Sequence, residues 1–141
     1  MLTLDDLLDS TEPHATFERA TVRAMTIDYE RGRFVADIDL RVGDPGAGDE
    51  DARERLRRGR LTVEGLRMWA LEPPERTHRQ RRGLVLGKHG LLERAPTDAG
   101  PLLSVTIGAV AASWFFHFID IDAYGYLAGE RASFVWSEGG L

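Results

Sequence analysis

RFVADIDLRV, residues 33–42, is the stretch whose pattern decides the fold. Phe34, Ala36, Ile38, Leu40 and Val42 take every second position, with Arg33, Val35, Asp37, Asp39 and Arg41 between them. A period of two puts alternate side chains on opposite faces of a strand, so one face packs and the other is mostly wet. Just upstream, residues 17–29 are rich in β-formers. Ala20, Val22 and Ala24 hold one phase there, and Met25, Ile27 and Tyr29 the other. That switch predicts a bulge near Ala24 or a strand buried on both faces. Arg31-Gly32 is the turn, and the two runs predict an antiparallel hairpin.

Toward the N-terminus, Thr3 to Ser10 predicts a short helix. Thr3 is its N-cap, Asp5 and Asp6 lie in the first turn, and Leu4, Leu7 and Leu8 share a face. Glu12-Pro13 ends it.

Toward the C-terminus, GDPGAGDED (43–51) is a loop. Asp49 to Arg58 is compatible with one or two helical turns stopped at Gly59, or equally with a mobile excursion. Strand periodicity returns with Leu61 and Val63, breaks at Gly65, continues through Leu66, Met68 and Ala70, and ends at Glu72-Pro73-Pro74. Residues 75–100 are poorly patterned, with a short strand at Leu84 to Leu86. Leu103, Val105 and Ile107 alternate with Ser104 and Thr106, which predicts another strand.

Trp114, Phe116 and Phe118 then face one way and Phe115, His117 and Ile119 the other. A strand apolar on both faces is central and covered on both sides. Asp120 to Asp122 forms a turn, and Tyr124 to Trp136 is a last strand with a bulge or bend at Gly129. The fold class is mainly β (α+β). It is a single domain, 1–141, built as an antiparallel sheet or partly open barrel of about six to seven strands with a short N-terminal helix. No internal repeat or low-complexity linker divides it.

With 141 residues, 43% hydrophobic and 29% charged, the chain has the composition of an ordinary globular domain. It has no cysteine, which excludes disulfides, thiolate zinc sites and cysteine nucleophiles. The N-terminus carries acids where a secretory signal carries positive charge. The most apolar run, near Val110 to Ile121, is shorter than the roughly 20 residues that cross a bilayer. A cytoplasmic location without membrane contact is the expectation.

The net charge of −5 is unevenly spread. Residues 1–52 carry −8, Arg53 to Arg82 carry +6 with ten arginines, and the remainder carries −3. The arginine cluster is either a basic surface for an acidic partner or a solvated loop that neutralises the acidic N-terminal third. Overall negative charge, and Trp69 as the one aromatic among those arginines, argue against nucleic acid.

HFIDIDAYGYLAGER (117–131) is the stretch most suggestive of chemistry. Counted from Asp120 as an EF-hand loop, Asp122 and Gly125 fall correctly, but Tyr124 and Arg131 occupy ligand positions. Calcium binding by this motif is rejected, and no metal or cofactor is expected. His117 is either a hydrogen-bonded, buried histidine or a base paired with Asp37, Asp39 or Asp120. Gly83 to Lys88 misses a phosphate loop on spacing and on the hydroxyl that follows the lysine.

Three segments carry a resemblance. They are Phe17 to Val22 leading into Ile27-Asp28-Tyr29 and the strand Arg33 to Val42; Leu61 to Leu66; and Trp114 to Asp122 with the strand ending at Trp136. In this layout the chain resembles small bacterial β-domains, some of which act as immunity proteins of polymorphic toxin systems. Those families carry a His-Asp pair where this chain has Glu18-Arg19, so no role for that pair transfers. The resemblance implies a toxin-neutralising or accessory protein.

The leading expectation is a non-enzymatic domain that binds another protein, through arginines and exposed aromatics, with a homodimer compatible. Its candidate binding residues are Arg67, Trp69, Arg76, Arg79, Arg81, Arg82, Trp114, Phe116, His117, Tyr124, Tyr126 and Trp136, with no catalytic residue among them. The alternative is a small-molecule β domain whose pocket is walled by Trp114, Phe116, Tyr124 and Trp136, with His117 or Arg67 as anchor. An enzyme using His117 with Asp120 or Asp122 ranks third.

Overall fold

The hairpin forms as its alternation requires. Strand β1 (Thr16–Asp28) pairs antiparallel with β2 (Arg33–Arg41), Ile27 opposite Phe34 and Asp28 opposite Arg33. Phe34, Ala36, Ile38 and Leu40 are buried in the main core, and the pairing slips between Val22 and Ala24, where the phase change predicts a bulge. The outer face of β2 departs from expectation at one position. Asp39 is only 5% exposed, held by the Arg58 Nε at 2.8 Å and the Arg23 Nη1 at 3.3 Å. Burying a carboxylate is costly unless cations and donors surround it, and these two arginines supply both.

The structure, a computed structural model, describes residues 2–75 and 83–137. Beyond the hairpin it contains β3 (Leu56–Leu71), β4 (Leu84–Leu91), β5 (Ala112–Phe118) and β6 (Ala123–Trp136). The strands close into an antiparallel barrel in the order β1-β2-β3-β6-β5-β4. The mainly β, antiparallel architecture thus holds, with a closed barrel of six strands among the described residues. Two helices, α1 (Glu50–Arg53) and α2 (Ala99–Ile107), and two 3₁₀ turns, Asp5–Leu7 and Leu92–Arg94, complete it.

The N-terminal helix is shortened to the turn Asp5–Leu7. Thr3 and Asp6 still bond reciprocally, the Thr3 N–H to Asp6 Oδ2 at 2.8 Å and the Asp6 N–H to Thr3 Oγ1 at 3.3 Å. Leu4 is buried, and the Trp114 Nε1–H donates to the Leu2 carbonyl at 2.8 Å, tying this segment to the barrel.

Three further expectations are corrected. Gly59 lies inside β3 and stops nothing; the Phe134 ring occupies the space its side chain would need. In the same strand Leu66 and Met68 do not share a side: Leu66 and Trp69 pack on the barrel core while Met68 joins a second, outer cluster, because the β3–β6 register shifts between Leu66 and Met68. The shift falls opposite Gly129 and Ala128, so the irregularity expected at Gly129 is shared with its partner strand.

The third correction is the largest: Leu103, Val105 and Ile107 lie on a helix. Thr97 Oγ1 accepts the Gly100 N–H at 3.3 Å, Pro101 fits a first turn, and Gly108 at φ +83° ends the helix. Ala99, Leu103 and Ile107, four apart, pack on a cluster containing Leu92, Ala95, Phe115 and Tyr126.

The barrel closes thinly. Between β1 and β4 only Thr21–Val85 and Val22–Leu84 pair. The strands approach so closely at that end that a side chain on Gly83, itself at φ +131°, would collide with the Val22 carbonyl.

Candidate functional site

The aromatic residues proposed as one site fall into separate environments. Trp114 and Phe116 belong to the barrel core, Phe116 stacking on Phe118 with centroids 6.4 Å apart. Trp69 packs against Phe34 at 5.0 Å. Trp136 meets Phe134 edge-on at 5.0 Å, and the Arg57 guanidinium lies 4.8 Å from its ring. Tyr124 and Tyr126 belong to the outer cluster beneath α2.

No shared cavity is walled by Trp114, Phe116, Tyr124 and Trp136 among the described residues. The space in the barrel core is about 20 Å³, lined by apolar side chains including Phe17, Phe34, Trp69 and Phe116. That is room for about one water, and an apolar space of this size stays dry.

The polar candidates are also engaged. The Arg67 Nη2 donates to Glu130 Oε1 at 2.7 Å. The Tyr126 hydroxyl bonds Glu72 Oε2 at 3.0 Å and Thr97 Oγ1 at 2.9 Å, while Glu72 Oε1 accepts the Tyr124 N–H. Burial, with the Glu72 carboxylate adding to it, raises the Tyr126 phenol above its ordinary range. This network fastens the end of β3 to β6 and to the start of α2.

The histidine reading is resolved in part. His117 Nε2 lies 2.8 Å from Asp122 Oδ1, with the Tyr124 ring 4.7 Å away. Asp120 takes no part; its Oδ2 accepts the Val85 N–H at 3.0 Å and pins the β5–β6 turn to β4. Among the described residues no group of three His, Asp or Glu side chains is placed to hold a metal ion.

Arg76, Arg79, Arg81 and Arg82 lie outside the described residues. The described arginines of the cluster are built into strand β3, its lead-in and α1. Arg58 bonds Asp39, Arg60 bonds Asp37 at 2.9 Å, and Arg55 and Arg57 grip Glu12 at 2.9 and 3.1 Å. Arg53 donates to the Ala47 carbonyl at 2.8 Å. Partial burial works against the Glu12 carboxylate, yet the two arginines hold its pKa below the usual value. Among the described arginines of the cluster, Arg55, Arg57, Arg58 and Arg60 pair with acids of the N-terminal third, Arg58 and Arg60 across the β2–β3 ladder. Exposed pairs of this kind contribute at most about 1 kcal/mol each.

Two surface features escaped the sequence pattern. One is the outer side of α2, where Leu102 is 69% and Val105 82% exposed. A cleft of about 590 Å³ runs beside it, lined by Leu2, Leu91, Leu92, Val105 and Val110 among others. The signals were Thr97-Asp98 before the helix, Gly108 after it and the four-residue spacing of Ala99, Leu103 and Ile107.

The other is a groove of about 440 Å³ along the β1–β4 seam, lined by Asp5, Thr16, Glu18, Arg19, Gly87, Lys88, His89 and Ile119. Burial pushes the His89 imidazole pKa down, against the charges of Asp5 and Glu18. The folded protein therefore disfavours a proton that the unfolded chain takes up below about pH 6.5. His89's contribution is fully present above that pH and is lost as pH falls toward the folded pKa. Urea midpoints measured from pH 7 to pH 5 should fall less steeply in His89→Gln than in the parent, by less than one proton's slope.

No family model, curated protein or solved structure matches the chain. No helix among the described residues is long and apolar enough to cross a membrane.

Proposed function

We propose that the chain is a non-enzymatic protein-binding domain whose contact surface is the outer face of α2 with the cleft beside it. The observation that carries this is the chemistry of α2. AGPLLSVTI has no charged residue in a chain that is 29% charged, and it holds Leu102 and Val105 out to solvent. A monomeric protein leaves a contiguous apolar surface of this kind exposed chiefly where something covers it. A partner docking on α2 itself would strip no charge of its water, Glu93 at the cleft wall being the one charged residue of the surface, and the cleft offers room for an apolar anchor side chain.

The surface differs from the one expected from arginines and aromatics: Trp114, Phe116 and Trp69 pack in the barrel core, Arg67 is paired with Glu130, and Arg76, Arg79, Arg81 and Arg82 lie outside the described residues. The resemblance to immunity-type domains makes a toxin, or another protein made in the same cell, the first partner to test. A second copy of the chain is the competing occupant.

A photo-crosslinking amino acid placed at position 105, in cells making the protein, is expected to yield one discrete adduct with another protein. The same residue at position 135, where Val135 is 65% exposed on a strand, is the control and should yield none. Equal adducts at both positions, or none at 105, contradict the proposal.

A further inference from the structure

We propose that the seam between β1 and β4 is a second docking site, one that takes an extended segment of a partner chain by strand addition. The backbone there is short of neighbours. β1 pairs with β2 at Thr16 and again only from Thr21, and with β4 only at Thr21 and Val22. Residues 17–20 therefore form an irregular stretch of β1 with no in-register partner on β2 or β4, and Arg19 sits at φ +58°. Across the seam, β4 pairs with β5 at Leu86 and next at His89, passing over Gly87 and Lys88.

Side chains bond two of the backbone N–H groups in this stretch. Asp5 Oδ1 accepts the Phe17 N–H at 3.0 Å and Thr16 Oγ1 the Glu18 N–H at 3.1 Å. An incomplete ladder of backbone donors and acceptors is the template on which an added strand pairs.

The seam is a wedge. It is tight at Gly83 and Val22, and its inner side is closed lower down by Phe17 and His89, whose rings meet edge-on at 6.5 Å. The outer side is the 440 Å³ groove. Its rim carries Glu18, Arg19 and Lys88, all exposed and none in an ion pair among the described residues. Ten other described arginines are paired with acids. Charges of both signs left unpaired beside a stretch without in-register strand partners select an extended peptide bearing both an acidic and a basic side chain. Main-chain bonds supply the attachment and the charges the specificity.

The probe is the blocked peptide acetyl-Val-Glu-Val-Lys-Val-amide, titrated to millimolar concentration into ¹⁵N-labelled protein. Acetyl-Pro-Glu-Pro-Lys-Pro-amide is the control, with the same charges but without the valine N–H donors. The valine peptide should shift the amides of residues 16–20 and 86–91, and the proline peptide should bind at least tenfold more weakly. The double variant R19E/K88E, altered only at exposed side chains, should weaken the valine peptide at least fivefold while its other amides keep their positions.

Leu102→Glu/Val105→Glu should leave this binding unchanged, so loss of the α2 contact and loss of the seam are told apart. No seam shift with the valine peptide, equal shifts with both peptides, or shifts confined to the α2 cleft would overturn the proposal.

Discussion

Trp114→Ala is expected to destabilise the protein by about 3–5 kcal/mol, the usual cost of truncating a fully buried Trp. Trp114 has no exposed surface and sits among the largest side chains of the barrel core. The truncation leaves a cavity and removes the donor of the Leu2 carbonyl, releasing the segment that carries Leu4. Total stabilities of about 5–15 kcal/mol make this a large share of the whole. At roughly 2–4 °C per kcal/mol for a chain of this size, the melting temperature should fall by about 6–20 °C.

Trp114→Phe keeps most of the apolar contact and loses the hydrogen bond, so a smaller fall, about 1–2 kcal/mol, is expected. Chemical denaturation of both variants checks this. A cost near zero for Trp114→Ala would mean that the ring walls an open space, as the small-molecule alternative required.

The legible parts of the fold are those whose period is local. Arg33 to Val42 states its own geometry, and the doubly apolar pattern of Trp114 to Phe118 fits Phe115, which is buried within the outer cluster, although Ile119 farther along that face is exposed. α2 was misread because Leu103, Val105 and Ile107 imitate a period of two while the packing uses a period of four from Ala99. β4 was underestimated because Gly87, Lys88, His89 and Gly90 interrupt its apolar run, although the strand extends to Leu91.

Nothing local announces where charges go. Asp37 with Arg60 and Asp39 with Arg58 become partners only through the β2–β3 register. The sequence therefore leaves the arginine cluster open between a basic surface and a neutralising loop, whereas its described members are engaged with acids or backbone carbonyls. The candidate site was mostly illegible for the same reason: aromatics crowded in sequence scatter to the inside and outside of a barrel. His117 and Asp122 did come together, being five residues apart across one tight turn.

Leu102→Glu/Val105→Glu carries the second large effect, and it falls on binding with little change in stability. Both side chains are mostly in solvent, so the folded state loses little packing, and a change within about 0.5 kcal/mol is expected. In a complex the two carboxylates would be buried against an apolar partner without cations to receive them. Uncompensated buried charge costs several kcal/mol, so the affinity should fall at least a hundredfold.

The most direct measurement is the titration calorimetry of the protein crosslinked at position 105 against the parent chain and against Leu102→Glu/Val105→Glu. The account predicts binding by the parent, at least a hundredfold weaker binding by the variant, and matching denaturation curves for the two chains. Equal affinities for the two chains would contradict it.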